Sequence, residues 1–125
     1  MKGSDSGIKL RILLVEDHPD TRHILSHLLR HFGYYVDSAE SYQLALQLLA
    51  ISQFHVLLSD IALPDGDGCN LVRAAKQTQA LVSIALSAYS SRQDIERGME
   101  AGFDYYLSKP LDVRELRTIL NQIVT

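Results

Sequence analysis

Side chains that could do chemistry stand at the ends of four apolar segments of the chain. They are the acid pair Glu16 and Asp17, the acid Asp60, the hydroxyl of Ser87 and the amine of Lys109. Carboxylates that are packed together repel one another, and one of them has to hold a proton unless a cation lies among them. Because the set offers oxygen donors and no Cys or His, it favours a hard ion, Mg²⁺ above all.

A carboxylate surrounded by Mg²⁺, a lysine and a hydroxyl is equipped for phosphoryl transfer. The carboxylate attacks phosphorus, while the metal, the amine and the hydroxyl stabilise the charge on the phosphoryl oxygens. An acyl phosphate on an aspartate is a known kind of covalent intermediate. The residue types therefore predict a phosphoryl-accepting site, on the condition that the fold brings them together.

Five short apolar segments have the length and composition of buried strands. They cover residues 10–15, 34–37, 54–59, 81–86 and 104–107. Five helices are predicted between and after them, with start signals at Pro19, at Ser41, at Asp67, at Ser90 or Ser91, and at Asp112. Gly33 and Gly102 are placed to end the first and fourth helices.

The first and last predicted helices carry apolar stripes at helical spacing, and we expect these stripes to face the core. In the first helix the stripe consists of Ile24, Leu25, Leu28, Leu29 and Phe32. In the last helix it consists of Val113, Leu116, Ile119, Leu120 and Ile123.

Strict alternation of apolar strands with helices predicts an α/β protein with a parallel sheet covered on both faces. The specific prediction is a flavodoxin-like (βα)5 fold, doubly wound, with five parallel strands in the order 2-1-3-4-5. In such sheets the carboxyl ends of the strands form the binding edge. The first and third strands are neighbours in this order, so Asp17 would lie beside Asp60. Ser87 would lie on one side, and Lys109 would reach in from the edge strand.

Length and composition exclude several classes of protein. The chain has 125 residues, of which 46% are hydrophobic and 22% charged, as expected for one globular domain. A net charge of −3 argues against a direct nucleic-acid surface. No apolar segment approaches the roughly 18 residues of a membrane span, so no membrane contact is expected. The single cysteine, Cys69, excludes an internal disulfide and favours a cytoplasmic setting.

The N-terminal segment differs from the rest of the chain. Residues 1–7 are polar and rich in Gly and Ser, which indicates a disordered tag or linker. We expect the globular domain to cover residues 8–125. A dimer is compatible with the sequence.

The ordered motifs at the strand ends resemble the response-regulator receiver domain of two-component signalling, over almost the whole chain. The matching stretches are Ile-Leu-Leu-Val-Glu-Asp at 12–17, Asp-Ile-Ala-Leu-Pro at 60–64 with Asp-Gly at 67–68, Leu-Ser-Ala at 86–88, and Ala-Gly-Phe-Asp-Tyr-Tyr-Leu-Ser-Lys-Pro at 101–110. The run at 101–104 is similar to the receivers of hybrid sensor histidine kinases. Each motif is weak alone, whereas the ordered set is specific.

The resemblance implies a role for each residue of the acid cluster. Asp60 is expected to be the phosphoacceptor. Asp17 and Asp60 are expected to bind Mg²⁺ directly, Glu16 through water, and Ala62 through its backbone carbonyl. The donor would be the phosphohistidine of a histidine kinase or of a histidine phosphotransfer domain.

The resemblance also implies a switch. Lys109 is expected to pair with the phosphoryl group, and its peptide bond to Pro110 to be cis. Ser87 and Tyr106 are expected to move on phosphorylation and to change the surface of the domain. The protein would assist its own phosphorylation and dephosphorylation, but it would not be a turnover enzyme.

Three alternatives of other classes stay open at this point. The main one is a receiver-like interaction module that is not phosphorylated; the acid set and Lys109 argue against it. A Mg²⁺-dependent phosphohydrolase would need a further general acid and a substrate pocket. A flavin carrier of the same architecture would need neither Lys109 nor the acid pair.

Two other patterns have structural as well as functional interpretations. The sequence Asp65-Gly66-Asp67-Gly68 lacks the later ligands of a calcium loop and indicates a turn with an N-cap, in which the glycines are expected to add mobility. His23, His27 and His31 lie four apart on the first predicted helix. They would form a metal site or, as we favour, a solvated or partner-facing stripe whose charge varies with pH.

Overall fold

The structure, a computed structural model, describes residues 9–124. The predicted tag or linker at 1–7 lies outside the described residues, as do both ends of the predicted domain 8–125. The chain forms the elements β1 Arg11–Val15, α1 Pro19–His31, β2 Tyr35–Ala39, α2 Tyr42–Ile51, β3 Val56–Asp60, α3 Gly68–Thr78, β4 Val82–Ser87, α4 Arg92–Ala101, β5 Tyr105–Ser108 and α5 Val113–Val124.

The five strands form one parallel sheet in the order β2-β1-β3-β4-β5. The prediction of a doubly wound flavodoxin-like sheet with order 2-1-3-4-5 is therefore confirmed. Val15 pairs with Ser59, Asp60 with Leu86, and Ser87 with Ser108. The carboxyl ends of β1, β3, β4 and β5 consequently lie level with one another at one edge of the sheet.

Alternate residues of each strand belong to two separate cores, as the two-residue period of a strand requires. On one face, Leu13 and Leu57 pack with residues of α2, α3 and α4. On the other face, Leu14 and Leu58 pack with residues of α1 and α5. Since both faces are covered, the central strands are mostly apolar, and β3 is buried along its whole length.

The predicted start and stop signals act as expected. Ser41 accepts a hydrogen bond from the Leu44 amide at 3.2 Å, and Asp67 accepts one from the Cys69 amide at 2.8 Å. Ser91 forms a reciprocal capping box with Asp94. Gly102, with φ of 125°, ends α4 in a left-handed conformation that glycine adopts without strain.

Two predicted core positions are wrong. Ile24 is 66% exposed and Val113 is 36% exposed. The buried residues of α1 are Leu25, Ser26 and Leu29, so the contact face is rotated away from Ile24. Periodicity predicts that a helix has an apolar stripe, but the stripe is wider than the strip that touches the sheet, and its margin lies at the surface.

None of the helices within residues 9–124 combines the length and the apolar character that crossing a lipid bilayer requires.

Candidate functional site

The carboxyl edge of the sheet brings a lysine between two acids. Lys109, just after β5, donates a hydrogen bond to Asp60 Oδ2 at 2.8 Å and another to Glu16 Oε1 at 2.9 Å. Asp60 is the last residue of β3, and Glu16 follows β1 directly. The bond between Lys109 and Pro110 is cis, which confirms the prediction made from the resemblance. Three strands thus each contribute one group to a single ion-pair cluster.

Burial makes this cluster electrostatically unusual, because Glu16 is fully buried and Asp60 is 6% exposed. Burial raises the pKa of Asp60, and the hydrogen bond from Lys109 offsets this only in part. Burial is also the largest influence on the pKa of Glu16, but the donors Lys109 and His18 together outweigh it, so that pKa is lowered. The pKa of Lys109 is raised, because its two carboxylate partners outweigh its own burial.

Two further residues hold the acid pair, and the sequence reasoning missed both. His18 donates its backbone amide to Glu16 Oε2 at 3.1 Å, and its ring Nδ1 lies 3.2 Å from the same oxygen. Arg22 donates to the backbone carbonyls of Glu16 and Asp17 at 3.0 Å and 3.3 Å. Their positions in the sequence could have identified them, since His18 directly follows the two acids and Arg22 lies one helical turn after His18.

The donor chemistry of the site fits a divalent cation. Glu16, Asp17 and His18 each offer a ligand atom, and these atoms lie within 4.8 Å of one another. Three carboxylates and one ammonium leave two negative charges at the edge, which one divalent cation would neutralise. Both oxygens of Glu16 are already engaged by Lys109 and His18. Both oxygens of Asp60 also have partners, the Ala62 amide and Lys109. Asp17, whose side chain is 32% exposed, is therefore the acid with free coordinating capacity.

The loop after Asp60 is folded tightly against that residue. Its backbone forms a two-stranded antiparallel ladder between Ala62–Leu63 and Gly66–Asp67. The predicted turn with an N-cap is therefore part of a short hairpin, and the N-cap Asp67 is its last residue. The Gly68 amide donates to the Ile61 carbonyl at 2.7 Å, and a Cβ on Gly68 would meet the Asp60 carbonyl and lie 2.8 Å from Ile61 Cα. Gly68 thus serves close packing beside the acid.

Gly68→Ala is expected to lower the free energy of unfolding by about 2 kcal/mol, because the added methyl group has to displace the backbone that carries Asp60. Urea unfolding followed by circular dichroism measures this change. Asn70→Ala, at an exposed position of the same helix, is the control and is expected to change stability by less than about 0.5 kcal/mol. Equal stability of the two variants would contradict the packing role of Gly68.

Ser87 and Tyr106 line one small cavity of about 160 Å³, together with Ile61, the residue that follows Asp60. Ser87 is buried, and its Oγ accepts a hydrogen bond from the Tyr89 amide at 3.0 Å. The Tyr106 hydroxyl donates to the Tyr89 carbonyl. The ring of Tyr106 lies against Gly98, where a Cβ would stand 3.0 Å from the ring edge. Tyr89 therefore connects the two residues that the sequence analysis named as a switch.

The three histidines of α1 are exposed and flank an apolar surface. His23, His27 and His31 line a shallow cavity together with Ile24 and Leu28. These histidines do not form one of the three-ligand sets that could hold a metal ion, among the described residues. Their geometry supports the surface-stripe interpretation.

The same apolar surface continues toward the acid cluster. A neighbouring cavity of about 320 Å³ is lined by α1 and by the segment after β5, and it includes Leu25, Lys109, Pro110, Leu111 and Val113. The surface therefore runs from the histidines to the lysine that touches Asp60.

Fold and site together define a CheY-like α/β protein with an acid cluster at the carboxyl edge of its sheet. The chain belongs to the response regulator receiver domain family, whose family model matches residues 12–121. The likeness that the sequence motifs indicated is thereby confirmed.

Curated relatives carry this domain in proteins of very different length. The chain is 38% identical over 117 residues to an uncharacterized 14.6 kDa protein of Leptolyngbya boryana and spans 89% of it. It is 33% identical over 116 residues to the sensor protein EvgS of Escherichia coli K12, but spans only 10% of that protein. It is 38% identical over 109 residues to the E. coli regulatory protein KdpE, and spans 48% of it.

Solved structures give the same assignment. The receiver domain of a Francisella response regulator matches with a TM-score of 0.86 at 26% identity, over 93% of this chain and 97% of the other. A CheY-like receiver domain protein of Methanospirillum hungatei also matches with a TM-score of 0.86, at 28% identity, over 93% and 94% of the two chains.

Proposed function

We propose that the protein is a phosphoacceptor receiver domain of two-component phosphorelay signalling. It takes a phosphoryl group onto Asp60 from a phosphohistidine of a histidine kinase or histidine phosphotransfer domain. The observation that carries this proposal is the 2.8 Å hydrogen bond from Lys109 to the buried Asp60 carboxylate. A cation held against a buried acid at an open strand end is suited to receive a phosphoryl group.

The transfer exchanges one bond to phosphorus for another. A carboxylate oxygen of Asp60 attacks the phosphorus, the phosphorus–nitrogen bond to the donor imidazole breaks, and the imidazole leaves with the bonding electron pair and takes up a proton. An acyl phosphate forms on Asp60. Lys109 then has a phosphoryl oxygen as its partner and keeps its contact with Glu16.

Mg²⁺ would be held by Asp17, Asp60 and the Ala62 carbonyl, with Glu16 acting through water. When bound, the ion supplies positive charge that stabilises the phosphoryl oxygens in the transition state. Lys109 and His18 occupy both oxygens of Glu16. We therefore assign Glu16 an indirect role. Asp17 is the accessible acid, and Asp60 would share its oxygens between the ion and their present partners, Lys109 and the Ala62 amide.

Ser87 and Tyr106 would couple phosphorylation of Asp60 to a change at the surface of the domain. Ser87 would turn from the Tyr89 amide toward a phosphoryl oxygen, and Tyr89 would transmit that change to the Tyr106 hydroxyl. The apolar surface along α1 and the segment after Lys109 would dock the histidine-bearing partner, since it lies next to the acid that receives the group.

This function makes the domain a cytoplasmic signalling part that assists its own phosphorylation and hydrolysis without turning over an external substrate. The similarity to part of EvgS supports a hybrid kinase as one setting for it. The alternative, an interaction module that is not phosphorylated, is disfavoured by the Lys109 bridge. Burying a cluster of charges costs free energy unless each charge is paired, and an interaction module that is not phosphorylated would have no use for such a cluster.

Removal of Mg²⁺ is the direct test. The native chain incubated with Mg²⁺ and acetyl phosphate is expected to gain a single phosphoryl adduct, measured by intact-protein mass spectrometry. Excess chelator is expected to lower the rate of adduct formation by about a hundredfold, the scale of losing one main electrostatic stabiliser. Adding Mg²⁺ back restores the rate and serves as the control. An unchanged rate in chelator, or no adduct at all with Mg²⁺, would overturn the proposed function.

A further inference from the structure

The hairpin after Asp60 is too small to hold its position alone. Its ladder consists of Ala62–Leu63 and Gly66–Asp67, two residues on each side. An isolated two-stranded hairpin is marginally stable at best. The Ala62 amide donates to Asp60 Oδ1 at 3.1 Å, so the position of the hairpin bears directly on the acid.

Asp65, at the tip of this hairpin, is bound to the start of α2. Its Oδ1 accepts a hydrogen bond from the Tyr42 amide at 2.7 Å, and its Oδ2 accepts one from the Gln43 amide at 3.0 Å. The first amides of a helix have no partners within the helix, and the helix dipole favours a carboxylate there. The first turn of α2 has no acid of its own. Asp65 therefore provides, from another segment of the chain, the carboxylate that the first turn of α2 lacks.

Gly66 makes a second contact with the same helix. A Cβ on Gly66 would lie 2.6 to 2.9 Å from three side-chain carbons of Tyr42. The hairpin backbone thus packs directly on the tyrosine side chain, at a distance that only glycine allows. Adjacent residues of the hairpin, one by hydrogen bonds and one by packing, hold it against α2.

We propose that Asp65 is a positioning residue for the metal: by tethering the hairpin to α2 it holds the Ala62 carbonyl and Asp60 in the arrangement that binds Mg²⁺. The inference rests on the proposed function only for the assignment of Mg²⁺ to this edge. The affinity of a site scales with the fraction of molecules in which it is assembled. Loss of the tether lowers that fraction without removing any ligand.

The test compares Asp65→Ala with Ser41→Ala in the full chain. Ser41 caps the same helix by accepting a hydrogen bond from the Leu44 amide, and this bond joins two residues of the helix start, so its variant controls for a weakened start of α2. Isothermal titration with MgCl₂ is expected to show a dissociation constant raised about fivefold in Asp65→Ala. Ser41→Ala is expected to bind within about twofold of the native chain.

Two further measurements separate positioning from general destabilisation. Asp65→Asn keeps one oxygen acceptor and is expected to bind Mg²⁺ with intermediate affinity. Hydrogen exchange without Mg²⁺ is expected to quicken at residues 61–68 in Asp65→Ala and to stay native there in Ser41→Ala.

Native Mg²⁺ affinity in Asp65→Ala would overturn the proposal, as would an equal loss in Ser41→Ala or failure of the native chain to bind Mg²⁺. The proposed function fails separately, if the native chain binds Mg²⁺ yet forms no phosphoryl adduct. In that case the comparison of the two variants still stands.

Discussion

Asp60→Asn is expected to abolish the phosphoryl adduct that the native chain forms with acetyl phosphate and Mg²⁺. The amide oxygen of asparagine is a poor nucleophile, and no other carboxylate at this edge has the same combination of contacts. Glu16 is fully buried whereas Asp60 is 6% exposed, and the two hydrogen bonds of Lys109 go to Asp60 and Glu16 rather than to Asp17. Intact-protein mass spectrometry at equal incubation times measures the result.

The variant is expected to fold at least as well as the native chain. Burial raises the pKa of Asp60 above its value in the unfolded chain. A carboxyl whose pKa is raised on folding favours the folded state at low pH and opposes it once the group is ionised. Asparagine removes this opposition at neutral pH and keeps an oxygen for the Ala62 amide.

The matched control is Asp37→Asn, an exposed aspartate of β2 paired with Arg11 at 3.7 Å. It is expected to form the adduct at the native rate, because exposed ion pairs contribute little and this one lies outside the acid cluster. A native yield of adduct in Asp60→Asn would assign the phosphoryl group to a different residue and overturn the role of Asp60.

The fold was predictable because local and global signals agree along this chain. Fully buried strands such as β3 require helices on both faces, and capping residues such as Ser41 and Gly102 mark where those helices begin and end. Since parallel strands end at one edge, residues far apart in sequence could be placed together. The contact between Lys109 and Asp60, 49 positions apart, follows from this rule.

The rest of the site depends on details that periodicity does not contain. Whether Ile24 or Leu25 faces the sheet depends on how α1 is rotated about its axis, and the two orientations differ by only one residue position. The bond between Asp65 and α2 joins segments 23 residues apart through a loop, and no spacing rule specifies it. Sequence patterns did not identify His18 and Arg22, because these residues hold Glu16 in place by hydrogen bonds and are not reactive groups themselves.

Glu16 and Asp60 make the stability of the folded protein depend on pH in opposite directions. The pKa of Glu16 is lowered, so its contribution to stability is present above its unfolded pKa and is lost as pH falls through the folded one. The raised pKa of Asp60 has the opposite effect: its ionised carboxylate opposes folding, and this opposition is relieved as pH falls. The ammonium of Lys109 is the group that lets both acids be ionised together at neutral pH.

Lys109→Met is therefore expected to impair both stability and chemistry. Methionine keeps the length of the side chain but leaves Glu16 and Asp60 without their cation, and removal of one partner of a buried pair costs about 3 kcal/mol at pH 7. The rate of adduct formation is expected to fall by about a hundredfold or more, because the charge on the phosphoryl oxygens loses a stabilising donor. Urea unfolding and mass spectrometry measure the two effects.

The pH dependence identifies the cause of the lost stability. Without Lys109, burial acts on Asp60 with less opposition, so its pKa rises further and the carboxyl takes up a proton in the folded state as pH is lowered. The stability deficit of Lys109→Met is therefore expected to shrink between pH 7 and pH 5. Added Mg²⁺ is expected to recover part of it at pH 7, because binding to the folded state alone stabilises that state.

Lys76→Met is the matched control for this variant. Lys76 also binds an aspartate at 2.8 Å, but the partner Asp104 is 41% exposed and the pair lies away from the acid cluster. Its loss is expected to cost less than about 1 kcal/mol and to leave the rate of adduct formation unchanged. If Lys109→Met showed the same small deficit at both pH values and a native rate, the ammonium would be an ordinary surface charge and not the group on which the acid cluster depends.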